Sequence, residues 1–284
     1  MTVNWQVFYN HTLRHRYPYL LIALASLLNV HVWYDLIQNW MADDNYSHGF
    51  LVVPVSIFVL YSRRKELRFP SPPSNLGIVM ILAGSLGLIL GIAAGEYFVT
   101  RVSLVIQLTG IGLAYLGFGN FRRVWFAFFF LLFMIPIPAV IYYQATLPMQ
   151  LISTKVTTFL LHLVGVPAIR HGHIIHLPNY SLEVIEACSG LRSLVTLLAL
   201  GSLYAWLYMT GRVRSVVLVL ATIPIAMFAN VFRIFVTAVG AYSISKELAE
   251  GFLHEISGLL VFVSAIVMMM ITGVFLKWTA RNSS

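Results

Sequence analysis

Cys188 is the only cysteine in the chain, so an internal disulfide is impossible and the thiol is packing, an intermolecular link or a reactive group. For a lone cysteine flanked by apolar residues, inert packing is the default. Reactivity needs activation, because a free thiol with a pKa of about 8.5 is mostly protonated near neutral pH. Cys188-Ser189-Gly190 opens a long apolar run, which puts the sulfur at a helix start, where the dipole favours a thiolate. Two residues further along supply the remaining chemistry of acyl transfer. Arg233 keeps its proton and can hold a carbonyl oxygen as negative charge develops on it. His254 can take and return a proton. Sequence spacing does not fix distances, so at this stage those two roles are exchangeable.

Each partner also has a plainer reading. A charge inside an apolar span costs on the order of 2.5 to 3.5 kcal/mol, and Arg233 could lower that cost by snorkelling to an interface. Against this, Asn230 and Thr237 lie three and four residues from it, on one helical face, so a polar stripe faces something. His254 beside Glu255 needs no catalytic role if it is interfacial. His171, His173 and His176 invite a metal reading, but H-x-H-x-x-H is not a strong zinc pattern and strand alternation puts only His171 and His173 on one face. A solvated hairpin is the better reading, with no metal and no cofactor expected. No H-E-x-x-H, Walker or dinucleotide pattern occurs.

The elements that must position these residues are set by composition. Hydrophobic residues make up 59% of the 284 and charged ones only 10%, which does not describe a soluble surface. A crossing of the hydrocarbon core needs roughly 20 mainly apolar residues. Eight such runs are read at 19–36, 47–61, 76–94, 100–118, 124–143, 191–209, 216–242 and 254–276. The expected fold is an all-α polytopic bundle, a single membrane domain over 1–284. The first run lacks a small-residue cleavage pattern and reads as a retained helix.

With the N-terminus inside, the cytoplasmic connections collect twelve of the eighteen basic residues, among them Arg63, Arg64, Lys65, Arg122, Arg123, Arg212 and Arg214, as the positive-inside rule requires. Both termini are then cytoplasmic. The net charge of +8 reflects this topology and not a nucleic-acid partner. An even number of crossings must separate Arg122/Arg123 from Arg212/Arg214, so the apolar stretch 147–166 is expected to lie along the outer membrane surface as an amphipathic helix, its apolar face interrupted by Gln150, Ser153, Lys155 and His162. Residues 168–187 form a small extracytoplasmic hairpin. Arg233 lies seventeen residues into a span rising from the cytoplasm, about 25 Å up a core of about 30 Å. Cys188 and His254 sit at the outer ends of their spans. All three come to one level.

The blocks Glu186-Ala187-Cys188-Ser189-Gly190-Leu191-Arg192-Ser193 and Asn230-Val231-Phe232-Arg233-Ile234, followed by His254, closely resemble the three motif blocks of the exosortase family, membrane enzymes related to archaeosortases. Tyr46-Ser47-His48-Gly49-Phe50 and Pro136-Ile137-Pro138 also look like family features. The resemblance implies an enzyme of the bacterial inner membrane, working at the periplasmic face. It would remove C-terminal sorting signals of the PEP-CTERM type, made of a short motif, a transmembrane helix and a basic tail, from exported proteins in bacteria making extracellular polysaccharide. It carries over Cys188, Arg233 and His254 as the catalytic set, with Glu186, Ser189, Gly190, Arg192, Ser193 and Asn230 in support. Family descriptions make the cysteine the thioester-forming nucleophile, the arginine a proton donor and the third residue a transition-state stabiliser; the physical preference above reverses the last two. The acceptor that resolves the thioester is left open.

Two rival classes remain at this stage. A transporter also uses membrane arginines and prolines within spans, but is expected to show repeated halves and midplane polar groups, neither of which is visible. A non-catalytic component of a polysaccharide export system predicts that Cys188 is dispensable.

Overall fold

The computed structural model describes residues 20–69, 71–178, 180–184, 191–243 and 252–281; for Tyr180, Leu191, Arg192 and residues 252–257, 260–261 and 280–281 only the backbone is described. The chain divides into two compact units, Met1–Ile137 and Pro138–Ser284. Both are predominantly helical, with large apolar side chains turned outward along most helices. That is the expected surface of a protein solvated by lipid.

In the first unit, α1 (Leu20–Leu28) and α2 (Val30–Ala42) meet at a 70° bend. The run 19–36, expected as one span, is therefore broken at Asn29. The cause is tertiary: Asn29 is fully buried and its Nδ2 donates to the Ala25 carbonyl and to Gln107 Oε1, both at 2.7 Å. Helix α3 (Gly49–Ser62) has only 14 residues. Helix α4 (Asn75–Ala94) ends where Gly95 turns left-handed, at φ 69°, the conformation that glycine adopts without penalty.

Helix α5 begins at Tyr97 and runs through Phe130 into a tight turn, Leu131–Met134. Its 38 residues would be about 57 Å long, nearly twice the hydrocarbon core. Gly117 interrupts it with φ 69° and ψ 162°, at the expected boundary between two spans. A Cβ there would strike Pro72 O and the Ser71 hydroxyl, so the break needs glycine. The second half stops at Met134 and does not reach Tyr143 as expected, because Pro136 and Pro138 follow and cannot extend the helix. Along α4, Gly77, Gly84 and Gly91 face Ala114, Gln107 and Thr100 of α5 so closely that a methyl at any of them would collide. Small residues at heptad spacing let two antiparallel backbones touch.

In the second unit, α6 (Ala139–Leu163) is followed by a three-stranded antiparallel sheet in the order β1 (Ile169–His171), β2 (Ile174–Leu177) and β3 (Tyr180–Glu183). Then come α7 (Leu191–Tyr208), α8 (Arg212–Ser243) and α9 (Phe252–Arg281). The sheet has one strand more than a single hairpin because Gly172 makes a turn of its own, at φ 60°. Its inner residues Ile175, Leu177, Leu182 and Val184 bury against Leu161 of α6 and Ile234, Ala238 and Ala241 of α8. The earlier part of α8 packs through Leu218, Ile225 and Ala226 on Leu197 of α7 and on Ala265 and Met269 of α9. Helix α8 is thus the shared wall of both cores.

Four helical segments among the described residues are long and apolar enough to cross a membrane, and a fifth if the bent α1–α2 pair is one span. The chain is a multi-pass membrane protein. The expected runs 47–61 and 191–209 appear as helices of 14 and 18 residues.

Helix α6 is amphipathic in the inverted sense. Thr146, Gln150, Ser153, Thr154, Thr157 and Thr158 are buried, while Val140, Leu147, Ile152, Phe159 and Leu163 are exposed. Of the four polar residues expected to interrupt its apolar face, Gln150 and Ser153 are buried in the protein and Lys155 and His162 remain exposed. Hydroxyls can be buried here because they bond locally, as Thr158 Oγ1 does to the Thr154 carbonyl at 2.8 Å.

Candidate active site

Arg233 projects from α8 between two polar residues of the expected stripe. Asn230, one turn earlier, is buried and donates from Nδ2 to Ser153 Oγ of α6 at 3.2 Å. Thr237, one turn later, is also buried. Thr157 Oγ1 of α6 donates to the Val231 carbonyl at 3.4 Å. These bonds fix the rotation of α8 against α6, and with it the direction in which Arg233 leaves the helix.

Arg233 is half-buried as a residue, with its Nε buried, and its guanidinium lies against α9. A methyl on Gly258 would stand 3.8 Å from both Cζ and Nη2, ordinary contact distance. The guanidinium thus sits close to the α9 backbone, at a distance that a small side chain still allows. Position 254 is one helical turn N-terminal to Gly258, so α9 brings the backbone at His254 to the same end of the helix pair as Arg233. The side chain of His254 lies outside the described atoms.

Cys188, with Glu186, Ser189 and Gly190, falls outside the described residues; the elements on both sides of it are described. Val184 leaves the sheet buried, with its N–H donating to the His173 carbonyl at 3.0 Å, and α7 begins at Leu191. Arg192 and Ser193 occupy the first turn of α7, Ser193 half-buried. Helix α7 packs on both α8 and α9.

The histidine cluster is arranged differently from the expectation. The Gly172-His173 turn intervenes between His171 and His173, so they do not alternate along one strand; instead His171 of β1 and His176 of β2 share a face, ring centroids 5.5 Å apart. His173 Nε2 pairs with Glu183 Oε1 across the sheet at 3.5 Å. Among the described residues, no three metal-ligating side chains converge.

Sequence reasoning missed Ser153 as the partner of Asn230, and missed Thr157 and Gly258 altogether. The first two were signalled by the recurrence of hydroxyl and amide residues at three- and four-residue spacing along α6. Gly258 was signalled by its place one turn after His254. It also missed a charged pair in the first unit: Arg101, buried within α5, bonds Asp35 Oδ2 of α2 through Nη2 at 2.7 Å and Nε at 3.0 Å.

The segment around Tyr46-Ser47-His48-Gly49-Phe50 packs on the stretch from Phe133 to Ile137 in that same unit. Trp40 Nε1 donates to the Met134 carbonyl at 3.0 Å, His48 Nε2 to the Phe133 carbonyl at 3.1 Å and Tyr46 OH to the Ile137 carbonyl at 3.4 Å. Two pieces of sequence some 90 residues apart therefore form one local structure. An apolar groove of about 290 Å³ elsewhere in this unit is lined by Met80, Val105, Phe121, Trp125 and Phe128; Thr109 is the one polar residue in its lining.

No curated protein and no solved structure matches this chain. A model of the transmembrane exosortase family matches residues 40–271. That span runs from the end of α2 into α9 and takes in the segment holding Cys188, so the chain belongs to the transmembrane exosortase family.

Proposed function

We propose that the protein is a membrane-embedded cysteine peptidase or transpeptidase that cleaves the C-terminal sorting signals of exported proteins. The observation that supports this most directly is the seating of the Arg233 guanidinium against Gly258, one turn from His254. In this reading the Cys188 thiolate attacks the scissile carbonyl, and a C–S bond forms as the carbonyl π pair moves onto oxygen. Arg233 holds that oxygen in an environment of reduced water, where fixed donors act strongly. His254 delivers a proton to the departing amine as the C–N bond breaks and leaves a thioester. It then takes a proton from the incoming amine or water that releases the acyl group.

The substrates are exported proteins bearing a PEP-CTERM-type motif, a transmembrane helix and a basic tail, met within the bilayer. Eight crossings with both termini cytoplasmic put the site at the periplasmic face of the inner membrane. Replacing Cys188 with Ala or Ser should abolish C-terminal processing of a tagged sorting-signal protein while leaving the enzyme's abundance in the membrane unchanged. Undiminished processing by either variant would overturn the proposal.

A further inference from the structure

Strand β3 is an edge strand whose outward backbone groups are set by its register. The bond from Val184 N–H to the His173 carbonyl extends the β2–β3 ladder by one pair beyond Ile174↔Glu183. In an antiparallel ladder hydrogen-bonded and non-bonded pairs alternate. The pairs 184/173, 182/175 and 180/177 are therefore the bonded ones, and Ser181 and Glu183 belong to non-bonded pairs. The contact of His176 Nδ1 with Ser181 Oγ at 2.8 Å agrees, since side chains approach most closely across non-bonded pairs. The N–H and C=O groups of Ser181 and Glu183 consequently point away from β2.

Among the described residues no strand lies on that side and no hydrogen bond reaches those four groups. The opposite end of the sheet is tied to α6, through Thr154 Oγ1 to the Gly172 carbonyl at 3.2 Å and His162 Nε2 to the Ala168 carbonyl at 2.7 Å. Beneath β3, Leu182 and Val184 are buried against α8, which anchors the strand with its outer donors and acceptors presented.

We infer that the outer edge of β3 binds the peptide substrate as an added strand. This rests on the peptidase reading and specifies how that site takes its substrate. A free strand edge offers backbone bonds to any extended peptide, at a two-residue repeat and without regard to side chain. The position suits cleavage. Cys188 is five residues beyond Glu183, and five extended residues span at most about 18 Å. A segment paired with Ser181 and Glu183 thus has its continuation within reach of the thiol. The exposed face of the sheet, with His176, Ser181 and the His173–Glu183 pair, would flank alternate side chains of the added strand.

The test uses the full-length protein in lipid nanodiscs and synthetic sorting-signal peptides carrying their transmembrane segment. Each peptide has one N-methylated amide at successive positions of the motif. Strand addition predicts a two-residue rhythm, with KM raised about five- to tenfold at alternate positions, the loss of one backbone bond, and little changed between them. A flat or non-periodic response would overturn it. Ser181→Pro removes one outward N–H while sparing the bonded pairs, and should raise KM by a similar factor. Reaction of Cys188 with a small electrophile should be unchanged in that variant, showing that the thiol and its surroundings persist; where it is lost, the N-methyl series on the unaltered protein decides. If Cys188→Ala still cleaves these peptides, the peptidase reading fails instead, and that result is separate from the rhythm.

Discussion

At the residue scale the protein places a guanidinium where a small residue on the facing helix admits it. Arg233 beside Gly258 suits a fixed donor fork better than a proton carrier, since arginine stays protonated throughout the usable pH range. In the proposed mechanism the oxyanion therefore falls to Arg233 and the proton to His254. Arg233→Lys retains the charge without the fork and should lower kcat by at least about a hundredfold, the scale of losing one oxyanion donor, while the shape of the pH–rate profile stays the same. His254→Gln should lower kcat and remove a titrating limb of that profile. Measuring both profiles with one substrate checks the assignment; a limb that vanishes in the arginine variant and survives in the histidine variant would reverse it. Asn230, Arg233 and Thr237 were legible as one stripe because three- and four-residue spacing needs only the helical period. Their partner, Ser153, was not, because a serine within α6 carries no mark of which helix it will meet.

At the element scale, boundaries set by local chemistry were legible and those set by distant contacts were not. Helix α4 ends at a glycine with positive φ and α8 begins at the basic residues Arg212 and Arg214, each within a few residues of the expected limit. The break in the first span depends on Asn29 meeting Gln107, 78 positions away, and the inverted face of α6 depends on what lies beside it. The Arg101–Asp35 pair links the broken segment to α5. Here Arg101→Met alone strands a carboxylate and should destabilise the protein by about 3 kcal/mol, the low end for a broken buried pair because Asp35 is partly exposed. The double variant Asp35→Leu/Arg101→Met should cost less than the two single changes combined. Thermal unfolding of the four proteins in one detergent gives the coupling; strictly additive losses would mean that the pair is not interacting.

At the scale of the whole molecule, the family match reaches from the end of α2 into α9, and the proposed topology puts Cys188 on the extracytoplasmic side. A membrane-impermeant thiol reagent applied to intact spheroplasts should label Cys188, and the same reagent sealed inside them should not. Labelling from the cytoplasmic side alone would overturn the eight-crossing arrangement. The glycine seam of α4 and α5 bears on how such a chain assembles. Long side chains lose rotamer freedom when two helices close over them, whereas glycine has none to lose. Where Gly77, Gly84 and Gly91 meet α5, pairing therefore carries a small side-chain entropy penalty, and its strength comes from contact between backbones already rigid before they meet. Because α4 and α5 are also consecutive, with only Gly95 and Glu96 between them, little loop closure opposes their pairing, so this pair is suited to form as soon as both helices are in the bilayer and to offer later elements a settled surface.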